Sequence, residues 1–360
     1  MNNKILIAAA GSGKTTWVVK EALDSSKKIL ITTFTEKNNE EIIKKVKELN
    51  NGIIPKNIKV QSWYSFLIEH GVKPYQGKML NKQIKGYVLK SKDSKNRYSK
   101  ENAEFFYLTK DKRMYLQLLS DFTFECNKKS DNAVIERISD IFETIFIDEV
   151  QDMAGYDLEI IKLLFATKTS IVLTGDPRQA TYSTNNARKN KKYLDGKIID
   201  FIEKECPINS CIIDSTQLKN SWRNNQKICE FANKLFPEYE ECLSLQTTKE
   251  EHVGFFYVRE KDVDIYLEKY SAIQLRYDSR TKNIKEKYGC LNFGESKGLT
   301  FDRVLIYPNP PIKQYLENDV MFKSPRTKCK FYVAVTRAKF SVGIVCNNNL
   351  KSEKFPFFNE

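Results

Sequence analysis

Residues 8–15, Ala-Ala-Ala-Gly-Ser-Gly-Lys-Thr, close the short apolar run 4–10 and open a segment, 15–23, that reads as a helix. Strand, glycine loop and helix in this order match the phosphate-loop pattern, except that Ala8 stands where its first glycine is usual. Small residues let backbone amides close around phosphate oxygens, and the helix adds the positive end of its dipole. Lys14 is placed to bridge phosphates and Thr15 to ligate Mg²⁺. A loop of this kind needs a buried parallel strand before it, which narrows the fold to an open α/β sheet with ligands at its carboxyl edge.

More of the chain agrees with that frame. Residues 28–33 lead as a strand into a helical 36–49, and 58–61 lead into 65–70, so βα units repeat and a parallel sheet covered on both faces follows. Residues 71–140 change character, with a Lys- and Ser-rich tip at 90–100 and amphipathic pieces at 105–122 and 133–141, and read as a helical insertion. Strands at 144–147 and 170–173 end in acidic residues. Alone, Asp-Glu at a strand end is more often a helix cap or a solvated edge; beside a phosphate loop it reads as a metal ligand, Asp148, and a water-polarising base, Glu149. A second set of strands, 211–214, 254–258, 271–274, 304–307 and 342–346, with helices at 225–235 and 328–336, makes a second α/β domain the simplest account. The basic stretch 185–192 reads as a linker or exposed loop. The expected division is 1–195 and 196–360, with 71–140 inserted in the first domain.

Composition narrows the chemistry. The 360 residues contain two histidines, so a His-based triad or multi-histidine metal site is nearly excluded, and eight cysteines without a C-x-x-C pair signal neither a zinc knuckle nor a disulfide framework. Carboxylates, Lys, Arg and backbone amides must carry any reaction. Lys plus Arg number 59 against 46 Asp plus Glu, a net +13 that favours a polyanion, although Lys and Asn are abundant throughout. No stretch reaches the ~18–20 apolar residues of a spanning helix and the first residues lack a cleavage pattern, so a soluble cytoplasmic protein without membrane contact is expected.

Taken in order, several segments resemble the motifs of superfamily 1 helicases of the UvrD/Rep-like group: 9–15, 31–35, 62–66, Ile147-Asp148-Glu149-Val150-Gln151-Asp152, 174–182, Asn220-Ser221-Trp222-Arg223, 295–302 and 332–339. The resemblance implies two RecA-like P-loop domains with parallel sheets, ATP and Mg²⁺ bound in a cleft, and hydrolysis that moves the domains along single-stranded nucleic acid. It implies nucleotide contacts from Ala10, Gly11, Ser12, Gly13, Lys14, Thr15, Thr16, Trp222 and Gly298, with the Trp222 indole stacked on adenine where the family usually has Tyr. Thr15 and Asp148 would hold the metal. Glu149 and Lys14 would act in catalysis, Gln179 would sense the γ-phosphate, and Arg223 and Arg337 would be arginine fingers, each worth ~10³–10⁵ in rate. Phe34, Trp63, Tyr64 and Tyr182 would meet the nucleic acid, a stacked base being worth roughly 1–3 kcal/mol, with Phe34 and Trp63 equally able to pack beneath the cleft.

Departures from the family pattern are specific. Tyr64 and Gly294 stand where His is usual, Thr300 where a Glu meets the ribose, and Ser183-Thr184-Asn185 where an aromatic-Arg-Gly platform is usual. No Gln precedes the loop to read adenine, and only about a dozen residues separate Tyr277 from the 292–298 motif, where the family carries a large helical subdomain. The expected function is therefore a Mg²⁺-dependent ATPase that translocates on single-stranded DNA, 3′ to 5′ by resemblance, with RNA as track left open. The alternative is a nucleotide-switched subunit of a partner enzyme such as a nuclease, as in anti-phage cassettes.

Overall fold

The computed structural model describes residues 3–89, 98–185 and 187–359. Positions 90–97 of the expected insertion tip, and position 186 of the expected basic loop, lie outside the described residues. The chain groups into two compact units. The first comprises Met1–Leu6, Thr15–Gly175 and Ser183–Asp214, the second Ile7–Lys14, Asp176–Tyr182 and Ser215–Glu360.

In the first unit, strand β1 (Lys4–Ile7) precedes helix α1 (Lys14–Leu23), then β2 (Ile29–Thr33), α2 (Glu36–Leu49) and β3 (Ile58–Ser62). Every residue of β2 is buried, as a strand covered on both faces must be. Helix α2 starts where Thr35 caps the Asn38 N–H at 3.1 Å, and it buries Ile42 and Val46. These pack with Val18, Val19 and Ala22 of α1 against Ile29, Ile31, Phe146 and Val172. The short α3 (Trp63–Phe66) is capped by Ser62 and continues as a wider π turn through Leu67–Val72.

The insertion is helical but not wholly so. A parallel pair, β4 (Gly86–Val88) and β5 (Arg113–Tyr115), flanks α4 (Ala103–Tyr107), and α5 (Leu119–Lys129) and α6 (Ala133–Ile141) follow. The amphipathic reading of 105–122 merged two helices with a strand too short to show a period of its own. Lys100 anchors this region, reaching Asp121 at 2.5 Å, Glu125 at 3.1 Å and the Tyr156 hydroxyl at 2.8 Å. The unit then adds β6 (Thr144–Ile147), α7 (Tyr156–Phe165), β7 (Ser170–Gly175), α8 (Ile198–Glu205) and β8 (Ile212–Asp214).

Among the described residues the main sheet has the order β3-β2-β6-β7-β1-β8. Parallel pairing of β3 with β2, β2 with β6 and β6 with β7 brings Thr33, Ser62, Ile147 and Gly175 to one edge. Residues 211–214 were expected in the second set of strands, yet β8 pairs parallel with β1, Ile212 opposite Lys4, so the first unit runs on to Asp214. Three residues carry no signal of which sheet they will join.

The second unit holds β9 (Gly254–Arg259), β10 (Ile273–Arg276), β11 (Cys290–Asn292), β12 (Phe301–Tyr307) and β13 (Ala338–Cys346), paired in parallel in the order β11-β10-β12-β13-β9. Helix α9 (Gln226–Leu235) is capped by Asn225, and α10 (Val263–Tyr270), α11 (Pro310–Asn318) and α12 (Pro325–Val335) follow, the last two carrying Pro in the first turn where no N–H is missed. Thus both units are α/β with parallel sheets, the RecA-like class expected. No helix among the described residues is long and apolar enough to cross a membrane.

The second core centres on Phe331 of α12, fully buried and 5.9 Å by ring centroid from Phe231 of α9. Phe331→Ala is expected to destabilise the fold by ~3–5 kcal/mol, read as a fall in the urea midpoint.

Candidate nucleotide and nucleic-acid site

The first unit contributes carboxylates at its sheet edge. Strand β6 is followed by Asp148, whose N–H bonds to Thr32 O at 2.8 Å and whose Oδ1 accepts from Thr174 Oγ1 at 2.7 Å and from the Glu149 N–H at 2.9 Å. Its other oxygen, Oδ2, lies 3.5 Å from Thr15 Oγ1. That separation exceeds an ordinary O–H···O bond of ~2.7–2.8 Å, and two hard oxygen ligands facing each other suit Mg²⁺, which is typically held by one or two carboxylates with waters. Glu149 adopts left-handed backbone, φ 58°, and its Oε2 accepts from Gln151 Nε2 at 2.6 Å. Gly175 makes room for this: a Cβ there would sit 2.5 Å from Gln151 Oε1. Thr16 lies in the first turn of α1. Thr174, the first residue of the 174–182 segment, was given no role in the sequence reading; its signal is a polar residue after the apolar run 171–173.

The aromatic residues of this unit divide. Phe34 and Tyr64 are half-buried and meet edge to face, ring centroids 5.2 Å apart. Burial, reinforced by Asp157, pushes the Tyr64 hydroxyl pKa up, so it stays a donor, to Thr184 O at 3.1 Å. Trp63 corrects the expectation of base contact. It is 0% exposed, with its indole N–H given to Asp157 Oδ1 at 2.7 Å, so it packs rather than stacks. Asp157 also accepts from Thr184 Oγ1 at 2.5 Å and Asn185 Nδ2 at 3.0 Å. The segment 183–185, expected only as a lost stacking platform, is thus an internal tie between α7 and the Trp63–Tyr64 turn.

The second unit carries the phosphate loop, Ile7–Lys14. Gly11 and Gly13 take φ of 73° and 81°, which side chains rarely adopt. Three loop carbonyls are engaged from outside the loop: Ala8 O by Arg178 Nη2 at 3.3 Å, Ala10 O by Ser221 Oγ at 2.8 Å and Gly11 O by the Trp222 N–H at 2.9 Å. Gly11 also lets this segment approach, since a Cβ on it would sit 2.5 Å from Arg223 Cβ. The Ser12 hydroxyl is buried with no hydrogen-bond partner among the described residues. An orphaned donor inside a glycine-rich loop fits an incoming phosphate oxygen, so the residues present suit the phosphates of a nucleotide.

The other expected residues of this unit lie close by. Trp222, beside Gly13, is 66% exposed, a ring open to a purine. Arg223 Nη1 donates to Thr336 O at 3.4 Å. Arg337 is 1% exposed and gives Nη2 to Gln179 Oε1 at 3.2 Å, Nε to Val333 O at 3.1 Å and Nη1 to Leu299 O at 3.3 Å. Gly298, φ 81°, forms the exposed turn just before that Leu299 carbonyl. Sequence reasoning missed Arg178 and Tyr332. Arg178 pairs with Asp176 at 2.7 Å; burial opposes its charge, but Asp176 outweighs burial and the guanidinium pKa rises. Tyr182 is 45% exposed, and a Cβ at Gly294 would lie 2.5 Å from its hydroxyl, so glycine at 294 is what admits this ring.

Desolvation raises the Asp157 pKa above its ordinary 3.8, against the lowering by Thr184, Trp63 and Ser120. The folded state therefore holds this proton longer than the unfolded chain, and the stability it contributes is full below the unfolded value and falls as pH rises through the folded one. Asp157→Asn is expected to remove that fall, so that the urea midpoint of the variant gains on wild type between acid and neutral pH.

Residues 68–195 match the UvrD/REP helicase N-terminal domain family. The RecBCD enzyme subunit RecB of Borreliella burgdorferi is 24% identical over 228 residues, 58% of this chain and 18% of that protein. The chain thus spans less than a fifth of this curated relative. Among solved structures, Arterivirus nonstructural protein 10 (helicase) in complex with DNA matches with a TM-score of 0.50 and 14% identity over 96% of this chain and 61% of that one. The same helicase in another crystal structure gives a TM-score of 0.49 at 14% identity, over 96% of this chain and 60% of that one. The chain therefore spans about three fifths of those solved chains, and the likeness to the DNA complex is one of fold.

Proposed function

Because residues 68–195 match the UvrD/REP helicase N-terminal domain, we propose that this UvrD-like chain is a Mg²⁺-dependent ATPase that moves on single-stranded DNA. The observation that carries this reading is the phosphate loop itself. Gly11 and Gly13 hold positive φ, the Ala8, Ala10 and Gly11 carbonyls are engaged by Arg178, Ser221 and Trp222, and Arg223 stands against Gly11.

In this reading Lys14 and the amides from Ala10 to Thr16 hold the phosphates, Thr15 and Asp148 hold the ion, and Trp222 stacks on the base, with Gly298 nearby. Bound Mg²⁺ would neutralise phosphate charge and so lower the barrier to attack. Glu149, steadied by Gln151, takes the proton of the attacking water, while Gln179, Arg223 and Arg337 meet the γ-phosphate. Phe34, Tyr64 and Tyr182 supply rings for the track, and the net +13 charge suits its phosphates.

A specific observation also favours a second reading. The buried Trp63 and the 183–185 tie remove base-stacking surface, and the relative RecB is by name a subunit of a larger enzyme. A nucleotide-switched subunit that controls a partner such as a nuclease would need no strong grip on DNA. Tight binding of single-stranded DNA by the isolated chain, weakening steeply with salt, supports the motor; binding that is weak at all salt concentrations supports the switch.

Wild-type turnover of ATP is expected to rise with single-stranded DNA. Glu149→Gln is expected to lower kcat by ~10²–10⁴ and Arg337→Ala by ~10³–10⁵, whereas Trp222→Ala acts chiefly on KM for ATP. Robust turnover untouched by Lys14→Ala or Glu149→Gln overturns the assignment.

A further inference from the structure

The second unit contains an unbroken run of hydrogen bonds from the phosphate loop to Arg337. The Ala10 N–H reaches the Tyr332 hydroxyl at 3.5 Å, and that hydroxyl donates to Asp176 Oδ2 at 3.1 Å. The same carboxylate oxygen accepts Gln179 Nε2 at 2.9 Å, and Gln179 Oε1 accepts Arg337 Nη2 at 3.2 Å. Arg178 braces the run from the side. Its Nε holds Asp176 Oδ1 at 2.7 Å, its Nη2 holds Ala8 O at 3.3 Å, and its guanidinium lies 5.3 Å from the ring centres of both Tyr239 and Tyr332. Asp176, Arg178, Tyr332 and Arg337 are all at most 3% exposed.

A buried ion pair is an expensive way to fill a core, since apolar residues of like volume are often as stable or more so. Its presence here has a geometric effect that packing alone would not give. An amide side chain has a donor end and an acceptor end of nearly equal shape, and only its partners decide which way it faces. The Asp176 carboxylate accepts and Arg337 donates, so Gln179 is held with its nitrogen on Asp176 and its oxygen on Arg337. One Nε2 hydrogen remains beyond the one given to Asp176, and the Arg337 guanidinium is kept at the same place.

We propose that Asp176, Arg178 and Tyr332 are positioning residues for phosphoryl transfer, fixing the Gln179 amide and the Arg337 guanidinium in register with the phosphate loop through the Ala10–Tyr332–Asp176 bridge. The proposal rests on the ATPase reading above and deepens it. Tyr332 acts through its hydroxyl; its ring does the packing, against Phe236 at a centroid distance of 5.4 Å. Tyr332→Phe keeps that ring and removes the bridge. Arg178→Lys keeps the charge but loses the fork that spans Asp176 and Ala8.

The test is steady-state ATP turnover of wild type, Tyr332→Phe, Arg178→Lys, Gln179→Ala and the Tyr332→Phe/Gln179→Ala double variant, each assayed below its melting midpoint and scaled to the folded fraction. Loss of the hydroxyl leaves two buried partners short, so kcat of Tyr332→Phe is expected to fall roughly ten- to a hundred-fold with KM for ATP little changed. In the double variant the loss is expected to be no greater than in Gln179→Ala alone, because Tyr332 acts through that amide. Wild-type kcat in Tyr332→Phe overturns the proposal, and so does a fully additive double variant. Wild-type turnover no faster than that of Lys14→Ala is instead a failure of the ATPase reading. Hydrogen exchange then decides the bridge: faster exchange of the Ala10 amide in Tyr332→Phe, with Val18 and Val19 unchanged, upholds it, and equal exchange at Ala10 overturns it.

Discussion

Parallel pairing is the constraint from which the rest of the molecule follows. Parallel strands cannot be joined by a tight turn, so every connection crosses back over a sheet face and the carboxyl ends of the strands collect at one edge. In the first unit this gathers Thr33, Ser62, Ile147 and Gly175, and with them the polar residues just beyond. Strand β6 is buried along its whole length, so its carboxylates, Asp148 and Glu149, come only where it ends.

Charge burial is handled in two ways. Asp157 is enclosed by neutral donors, Trp63, Thr184 and Asn185, and desolvation keeps its pKa high; its work is to hold α3 and the 184–185 segment to α7. Asp176 is enclosed with a cation as well, Arg178, and shares its second oxygen between Tyr332 and Gln179. The first arrangement is a structural knot that happens to sit beside aromatic residues. The second ties the loop backbone to side chains with a chemical task.

Much of this was legible in the sequence, and the reasons differ by element. The loop at 8–15 and the helix 36–49 were plain because glycine punctuation and a 3.6-residue period are local signals, and α2 occupies the range read for it. The family resemblance of the ordered segments was likewise legible. Strand β8 was not, because three residues carry no information about their partner; β4 is equally short, and β5 was hidden inside the stretch read as amphipathic. Trp63 and Tyr64 are adjacent in the same motif, yet one is sealed and the other half-exposed; which face of a short helix turns inward depends on α7, far along the chain. Arg178 and Tyr332 were missed because they are 154 positions apart, and only folding sets one over the ring of the other.

The missing side chain at Gly294 has a consequence for the ring beside it. A Cβ there would lie 2.5 Å from the Tyr182 hydroxyl, the far end of a ring that is 45% exposed, so a larger residue at 294 fits only if that ring turns outward. In this fold the two positions share one volume, and what either side chain gains the other gives up.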